Sequence, residues 1–290
     1  MRVQFIQDLI DAARGKRKGH AIPVKAVAME RQELDVLFER FPFREAEVNG
    51  HKRRFLEGVN ADPGVTERTL ALLCERFPTD RGAVKVLNVG CGRKNQSAFL
   101  QVLGFDAYGV DFDIDVDTDK IKFHDLNTQE NLPFDVAFDC VICQEIIEHI
   151  ENPWLLFRKV KKVLKAGGTL IVTTPNMSSN NSKRIFVGNN VGFFAYFDPE
   201  NLWQHINPIP YWEMVHIATF NGFELAGLSG NNEFHERFVA RGVRQERGLD
   251  MQVTIQNNDI LHYMFRQVNG DIKLYSPVPT HNYVWPTARR

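Results

Sequence analysis

The stretch VKVLNVGCGRKNQSAFLQVLGFDAYGVDFD, residues 84–113, decides the fold. It opens on a β-branched run that ends in a glycine turn. It then passes through the helix-like SAFLQVLG and closes on a second β-branched run, AYGVDFD, which ends in acids. Strand, turn, helix and strand in that order are the repeating unit of a parallel α/β sheet. Working outward, the alternation continues with a weak third strand near residues 121–124, a buried fourth strand FDCVICQE, and a fifth, TLIVTTPN. Between the last two, NPWLLFRKVKKVLKAGG is predicted as an amphipathic helix. Its expected apolar stripe is Leu155, Val160, Val163 and Leu164, its wet face Arg158, Lys159, Lys161 and Lys162, and its stop Gly167 and Gly168. Upstream, DPGVTERTLALLCERF reads as a helix opened by Asp62 and Pro63. Downstream, YWEMVHIATFNG reads as a helix, FELAGLS as a sixth strand and ILHYMFRQV as a seventh.

The expected organisation is an N-terminal arm at 1–61, a catalytic domain at 62–268 and a tail at 269–290. Within the domain, 176–210 is irregular, rich in Asn, Ser, Pro and aromatics, and reads as a lid; 230–258 reads as an insertion. The charge runs Lys16 to Lys18 and Lys52 to Arg54 are expected to be solvated faces.

The 290 residues carry 35 Lys plus Arg against 36 Asp plus Glu, a net charge of −1. That balance counts against a broad nucleic-acid-binding surface. No apolar run approaches the roughly 18–20 residues of a membrane helix, and the N-terminus lacks a signal-peptide core. Four cysteines in this length do not make a disulfide framework. A cytoplasmic protein is expected.

Gly90 and Gly92 follow a buried strand and precede a helix, where the chain must turn tightly and pass close to a ligand. Asp111 follows about 20 residues later, at a strand end where a carboxylate can accept from a ribose diol. Together they point to a nucleoside-type cofactor. A dinucleotide fingerprint would need a third glycine where Asn95 stands, and no tyrosine has a lysine four residues downstream for short-chain dehydrogenase chemistry.

With VLNVGCG, GVDFD, HDLN, FDCVICQEIIEHIENP and KAGGTLIVTTPN in that order, the chain resembles the class I S-adenosylmethionine-dependent methyltransferases. The likeness runs over roughly residues 65–268, and is greatest to the branch of ubiquinone, sugar and natural-product O-methyltransferases. It implies a Rossmann-like α/β fold: a seven-stranded, mostly parallel sheet with an antiparallel last strand and helices on both faces. It further implies that Asn88, Gly90, Cys91 and Gly92 form the turn beneath the methionine part of S-adenosyl-L-methionine. Asp111 would hold the ribose, Phe112 would pack on the adenine, Asp125 and the Leu126 backbone would line its edge, and Gln144 would face the reacting centre. The family often has an acid where Asn88 stands and a glycine where Lys94 stands, so altered binding geometry is expected.

Glu145, Glu148 and His149 follow the fourth strand. If they open a helical turn, Glu145 shares a face with both Glu148 and His149. With His205 as a fourth ligand they form a candidate site for a divalent cation such as Mg²⁺. Small-RNA 2′-O-methyltransferases and some ubiquinone-type enzymes resemble this arrangement. The alternative is a helix-capping glutamate with a packed histidine. Without a metal, His149 or His205 is the natural base.

The expected reaction is methylation of a hydroxyl on a small-molecule acceptor such as a sugar or glycan precursor. A metal-dependent RNA-end ribose methyltransferase and a non-catalytic S-adenosylmethionine-binding protein are the competing readings. The acids of DFDIDVDTDK mimic a calcium loop, but Thr118 stands where its glycine belongs and His124 where its last glutamate belongs. Cys140 and Cys143 should point to opposite faces of a strand, and Cys74 should be core. The aromatics Phe193, Phe194, Tyr196, Phe197 and Trp203 are expected to form a lid or acceptor wall.

Overall fold

A computed structural model describes residues 32–48, 51–92, 96–115, 117–188, 192, 194–198, 205–231, 255 and 258–268. In chain order the elements are α1 (Gln32–Arg40), β1 (Phe43–Val48), β2 (His51–Leu56), α2 (Val65–Arg76), β3 (Lys85–Val89), α3 (Ser97–Val102), β4 (Asp106–Asp111), β5 (Ile121–Phe123) and β6 (Phe138–Gln144). There follow α4 (Pro153–Val163), β7 (Leu164–Pro175), α5 (Asn180–Gly188), α6 (Tyr211–Phe220), β8 (Phe223–Gly230) and β9 (Ile260–Gln267). Seven strands form one sheet in the order β5-β4-β3-β6-β7-β9-β8. Pairing is parallel from β5 to β7, and β9 runs antiparallel between β7 and β8.

Period-two alternation divides the core between the sheet faces. On one face Val86, Cys140, Ile142 and Ile171 pack with Leu70, Leu73 and Cys74 of α2 and Phe99 and Leu100 of α3. On the other, Leu87, Val89, Val141, Cys143 and Val172 pack with Leu156, Phe157 and Val160 of α4 and Met214 and Ile217 of α6. Cys140 and Cys143 thus serve opposite cores, and all four cysteines are buried and outside any disulfide. Among the described residues no helix is long and apolar enough to cross a membrane.

Four local expectations are corrected. The helix after β6 stops at Val163, and Leu164 already pairs with Phe138 as the start of β7. Gly167 and Gly168 therefore lie inside the strand entry rather than at a helix end. Leu155 is only half-buried, the stripe being carried by Leu156, Phe157, Val160 and Val163, while Lys159 is 1 % exposed and not on the wet face. A pattern dominated by lysines hid that burial, because a long stem can pack while its ammonium finds a carbonyl. Next, α2 begins at Val65 behind Gly64 at φ 87°, so Asp62 does not cap it with its side chain. Within 176–210, α5 is regular. In the arm, β1 and β2 form a hairpin on which Lys52 and Arg54 are exposed as expected, Arg54 pairing with Asp35 and lying over the Phe38 ring at 4.4 Å. Leu34, Leu37 and Leu56 from this region enter the same core as α2. Lys16 to Lys18 and the tail from 269 lie outside the described residues, as does most of the 230–258 insertion.

The connection after β3 crosses to β4 on one side, while β6 lies on the other side of β3. Such a switch point opens a crevice at the carboxyl ends of the strands. Gly90 sits there with φ 78°. A Cβ added to it would lie 2.1 Å from Ile146 Cγ1. Gly90→Ala should therefore combine a left-handed backbone with a clash and cost about 2–4 kcal/mol. Urea unfolding of the variant measures this, and a loss below about 0.5 kcal/mol would contradict the packing described.

Candidate active site

The turn after β3 is held by backbone groups. Gly90 N–H and Cys91 N–H both donate to Val110 O, at 2.8 and 3.1 Å, and Gly92 N–H donates to Asp111 Oδ2 at 2.7 Å. Asp111 Oδ1 accepts from Asp113 N–H at 2.9 Å, so one carboxylate ties the first turn to the loop after β4. Gly92 has φ 72°, and among the described residues nothing lies within 4 Å of where a Cβ would project. Asn88 is buried with its Oδ1 unpartnered among the described residues. Cys91 is buried behind the turn, where burial and then the Asp111 charge push its thiol up to about 12, and it stays protonated. Phe112 is 73 % exposed, an open aromatic face beside Asp111. Lys94 and Asn95 lie outside the described residues.

After β5 the chain forms a closed turn. Asp125 accepts from Asn127 N–H and Thr128 Oγ1–H, which holds its carboxyl below the usual range. Leu126 presents its carbonyl to Lys159. Gln144, at the end of β6, donates to Thr66 Oγ1 at 2.9 Å, and His262 Nε2 lies 3.1 Å from Val65 O. These two contacts fix the N-terminus of α2 over the sheet edge. Neither Thr66 nor His262 carries a sequence signal for this.

The acid–histidine cluster does not form as a helical turn. Glu145 takes φ 50°, and only Ile147–His149 form a short 3-10 turn. Glu145 therefore swings to Thr173, whose hydroxyl donates to it at 2.7 Å, and leaves the cluster. Glu148, His149 and His205 remain, with one ligand atom of each within 4.8 Å of the others. Glu148 is fully buried; Oε2 accepts from Thr174 at 3.0 Å, and Oε1 has no hydrogen-bond partner among the described residues, lying 4.0 Å from His149 Nε2. Its backbone carbonyl accepts from Ile206 and Asn207, which brings the chain bearing His205 alongside. The two imidazoles lie 4.7 Å apart, and Phe197 packs on His205 at 5.2 Å. His205 Nδ1 is unpartnered among the described residues. Burial, then the neighbouring His149, lower the His205 pKa to about 4, leaving it neutral near pH 7. Tyr196, at φ 69°, donates to Asp62 at 2.7 Å. Phe193 and Trp203 lie outside the described residues. The acids of 111–119 give no metal-like cluster among the described residues.

Burial raises Glu145 to about 8 and Glu148 well above its usual value, with Glu145 adding to the latter. A carboxyl whose folded pKa lies above its unfolded value loses stability for the fold as pH rises between the two. Glu145→Gln keeps an acceptor for Thr173, so the metal-free variant should match the wild type near pH 5 and exceed it in thermal stability near pH 8. Parallel melting curves across that range would refute the assignment.

A glycine turn at the switch point of a sheet in this strand order is the architecture of the class I S-adenosylmethionine-dependent methyltransferases. A family model described as a methyltransferase domain matches residues 51–228, and the chain belongs to that family. It is 28% identical over 167 residues to the ubiquinone biosynthesis O-methyltransferase of Rickettsia conorii, covering 53% of this chain and 57% of that protein. To the protein of the same name from Xanthomonas campestris it is 29% identical over 104 residues, 32% of this chain and 43% of the relative. The chain thus spans little more than half of the first relative and less of the second. A methyltransferase structure from Mesorhizobium loti superposes with a TM-score of 0.48 at 15% identity, over 70% of this chain and all of that one.

Proposed function

We propose that the chain transfers a methyl group from S-adenosyl-L-methionine to a hydroxyl of a small polar acceptor, a sugar or glycan precursor being the favoured class. The domain assignment, 62–268 with its arm and lid, goes with this reading. The observation that carries it is the buried Glu148, with an unpartnered oxygen facing two imidazoles, on the segment whose Ile146 packs against Gly90.

The cofactor residues fit the group. Asn88 offers an unsatisfied carbonyl, Gly92 leaves room, Asp111 retains lone pairs for a ribose diol, and Phe112 offers a ring face. Asp125 and Leu126 would border the adenine, and Gln144 would face the reacting end. When bound, the cofactor supplies an electrophilic methyl group on a sulfonium. This chain's work is then to align the acceptor oxygen in line and relieve it of its proton.

A carboxylate and an imidazole with unpartnered atoms among the described residues, Glu148 Oε1 and His205 Nδ1, together with the His149 ring suit a divalent cation, which would lower the pKa of the acceptor hydroxyl. Glu148, His149 and His205 would hold it, with Glu145 turned away to Thr173. A second reading, a histidine base without metal, is favoured by the neutral His205, whose Nδ1 has no partner among the described residues. Calorimetry with S-adenosylhomocysteine tests the cofactor, and absence of binding sinks the proposal. Metal analysis with a chelator arm decides between the two proton routes. A labelled-methyl screen over sugars, phenols and short RNAs identifies the acceptor, and the net charge of −1 predicts that RNA is not it.

A further inference from the structure

Among the described residues Lys159 is the one lysine that the sequence pattern places in water and the structure buries. It stands mid-helix in α4 at 1 % exposure, and its Nζ donates to the Leu126 carbonyl at 2.6 Å across 33 positions of chain. The turn it reaches is closed on itself. Asp125 accepts from Asn127 N–H and Thr128, Asp125 N–H donates to Gln129 Oε1 at 2.8 Å, and Gln129 N–H returns to Asp125 O at 3.1 Å. Such a turn keeps its own shape but not its own position. The strand before it, β5, is three residues long and paired on one side to β4.

Its position is set from the other side. Besides Lys159, Glu151 N–H donates to Asn127 Oδ1 at 2.9 Å, and Lys162 Nζ reaches Asn131 Oδ1 at 2.7 Å. Of these, only the Lys159 contact joins a buried cation to a backbone carbonyl of the turn itself, a charge-assisted bond in a setting where water does not compete. Asp125 and Glu130 favour the charged ammonium, against the burial that lowers its pKa. Adjacent His124 is driven down to about 4 by burial and then by the Lys159 charge, and so adds no second cation.

We propose that Lys159 is a positioning residue for the cofactor, its ammonium fixing the Asp125–Gln129 turn against the adenine edge and so giving the site its preference for adenine. This rests on the cofactor reading above. It also means that α4 serves both ends of the site, because the same connection that carries Glu148 and His149 leads into the helix that holds the adenine turn.

The test is calorimetry on the full chain with S-adenosylhomocysteine and its inosine counterpart, which lacks the 6-amino group. The wild type should prefer the adenine compound. Lys159→Met should weaken S-adenosylhomocysteine about tenfold and bring the two compounds together, since a misplaced turn loses both affinity and discrimination. Arg158→Met, on the exposed face of the same helix, should change neither. Unchanged affinity and unchanged preference in folded Lys159→Met would overturn the inference. Should that variant not fold, Lys159→Gln, which keeps a neutral donor on a shorter stem, should weaken binding about threefold with reduced preference; no change there overturns it equally. A wild type that binds neither compound overturns the cofactor reading, and this inference with it.

Discussion

Asp111→Ala should raise the dissociation constant of S-adenosylhomocysteine about a hundredfold, roughly 2.8 kcal/mol. Two losses add. The carboxylate is the partner proposed for the ribose diol. It also receives Gly92 N–H at 2.7 Å and Asp113 N–H at 2.9 Å, so it holds the glycine turn in register with the loop after β4. Hydrogen bonds to an ionised acceptor are the strong ones, and removing their acceptor leaves both donors to find water. Asp111→Asn separates the contributions: its one carbonyl can serve one of the donors, so an intermediate loss is expected. Calorimetry reads both variants, and a loss below about fivefold for the alanine variant would remove Asp111 from the site.

The second large effect belongs to Glu148. Glu148→Gln keeps an acceptor for Thr174 and nearly the same volume, but it removes the oxygen that can take up a proton or bind a cation facing His149 and His205. Methyl transfer should fall roughly 10²–10³-fold, the usual scale for losing a group that handles acceptor charge or proton. Cofactor affinity should stay within about twofold, because the proposed function gives the carboxyl to the acceptor rather than to the cofactor. The fold should tolerate the change, since burial already disfavours the charged carboxylate. Initial rates with the acceptor found by the screen, with and without added divalent cation, measure this. If the rate fell less than tenfold, the cluster would be structural.

Much of the fold was legible in the sequence because parallel strands buried on both faces write themselves as β-branched runs, and their turns as glycines at fixed offsets. VKVLNVG, AYGVDFD, FDCVICQE and TLIVTTPN all became strands, and Cys140 and Cys143 fell on opposite faces as a spacing of three requires. The hairpin at 43–56 was not legible, since FREAEV and HKRRFL are mostly charged and their pairing depends on docking against α1 and α2. The helix stop at 163 was misplaced because Leu164 suits a helix stripe and a strand equally well.

The site divides in the same way. The sequence by itself determined the glycine turn and the carboxylate two elements on, because backbone conformation at Gly90 and Gly92 and the acid at Asp111 are local properties. It also nominated Glu148, His149 and His205. Tertiary structure alone decided that Glu145 turns away to Thr173, that Glu148 is fully buried between Thr174 and two imidazoles, and that Lys159 abandons the solvent for Leu126. Each of these depends on a partner more than two dozen residues distant, brought near by the order in which the strands are laid side by side. Periodicity reports which face of an element is buried, and it carries no information about what that face will meet.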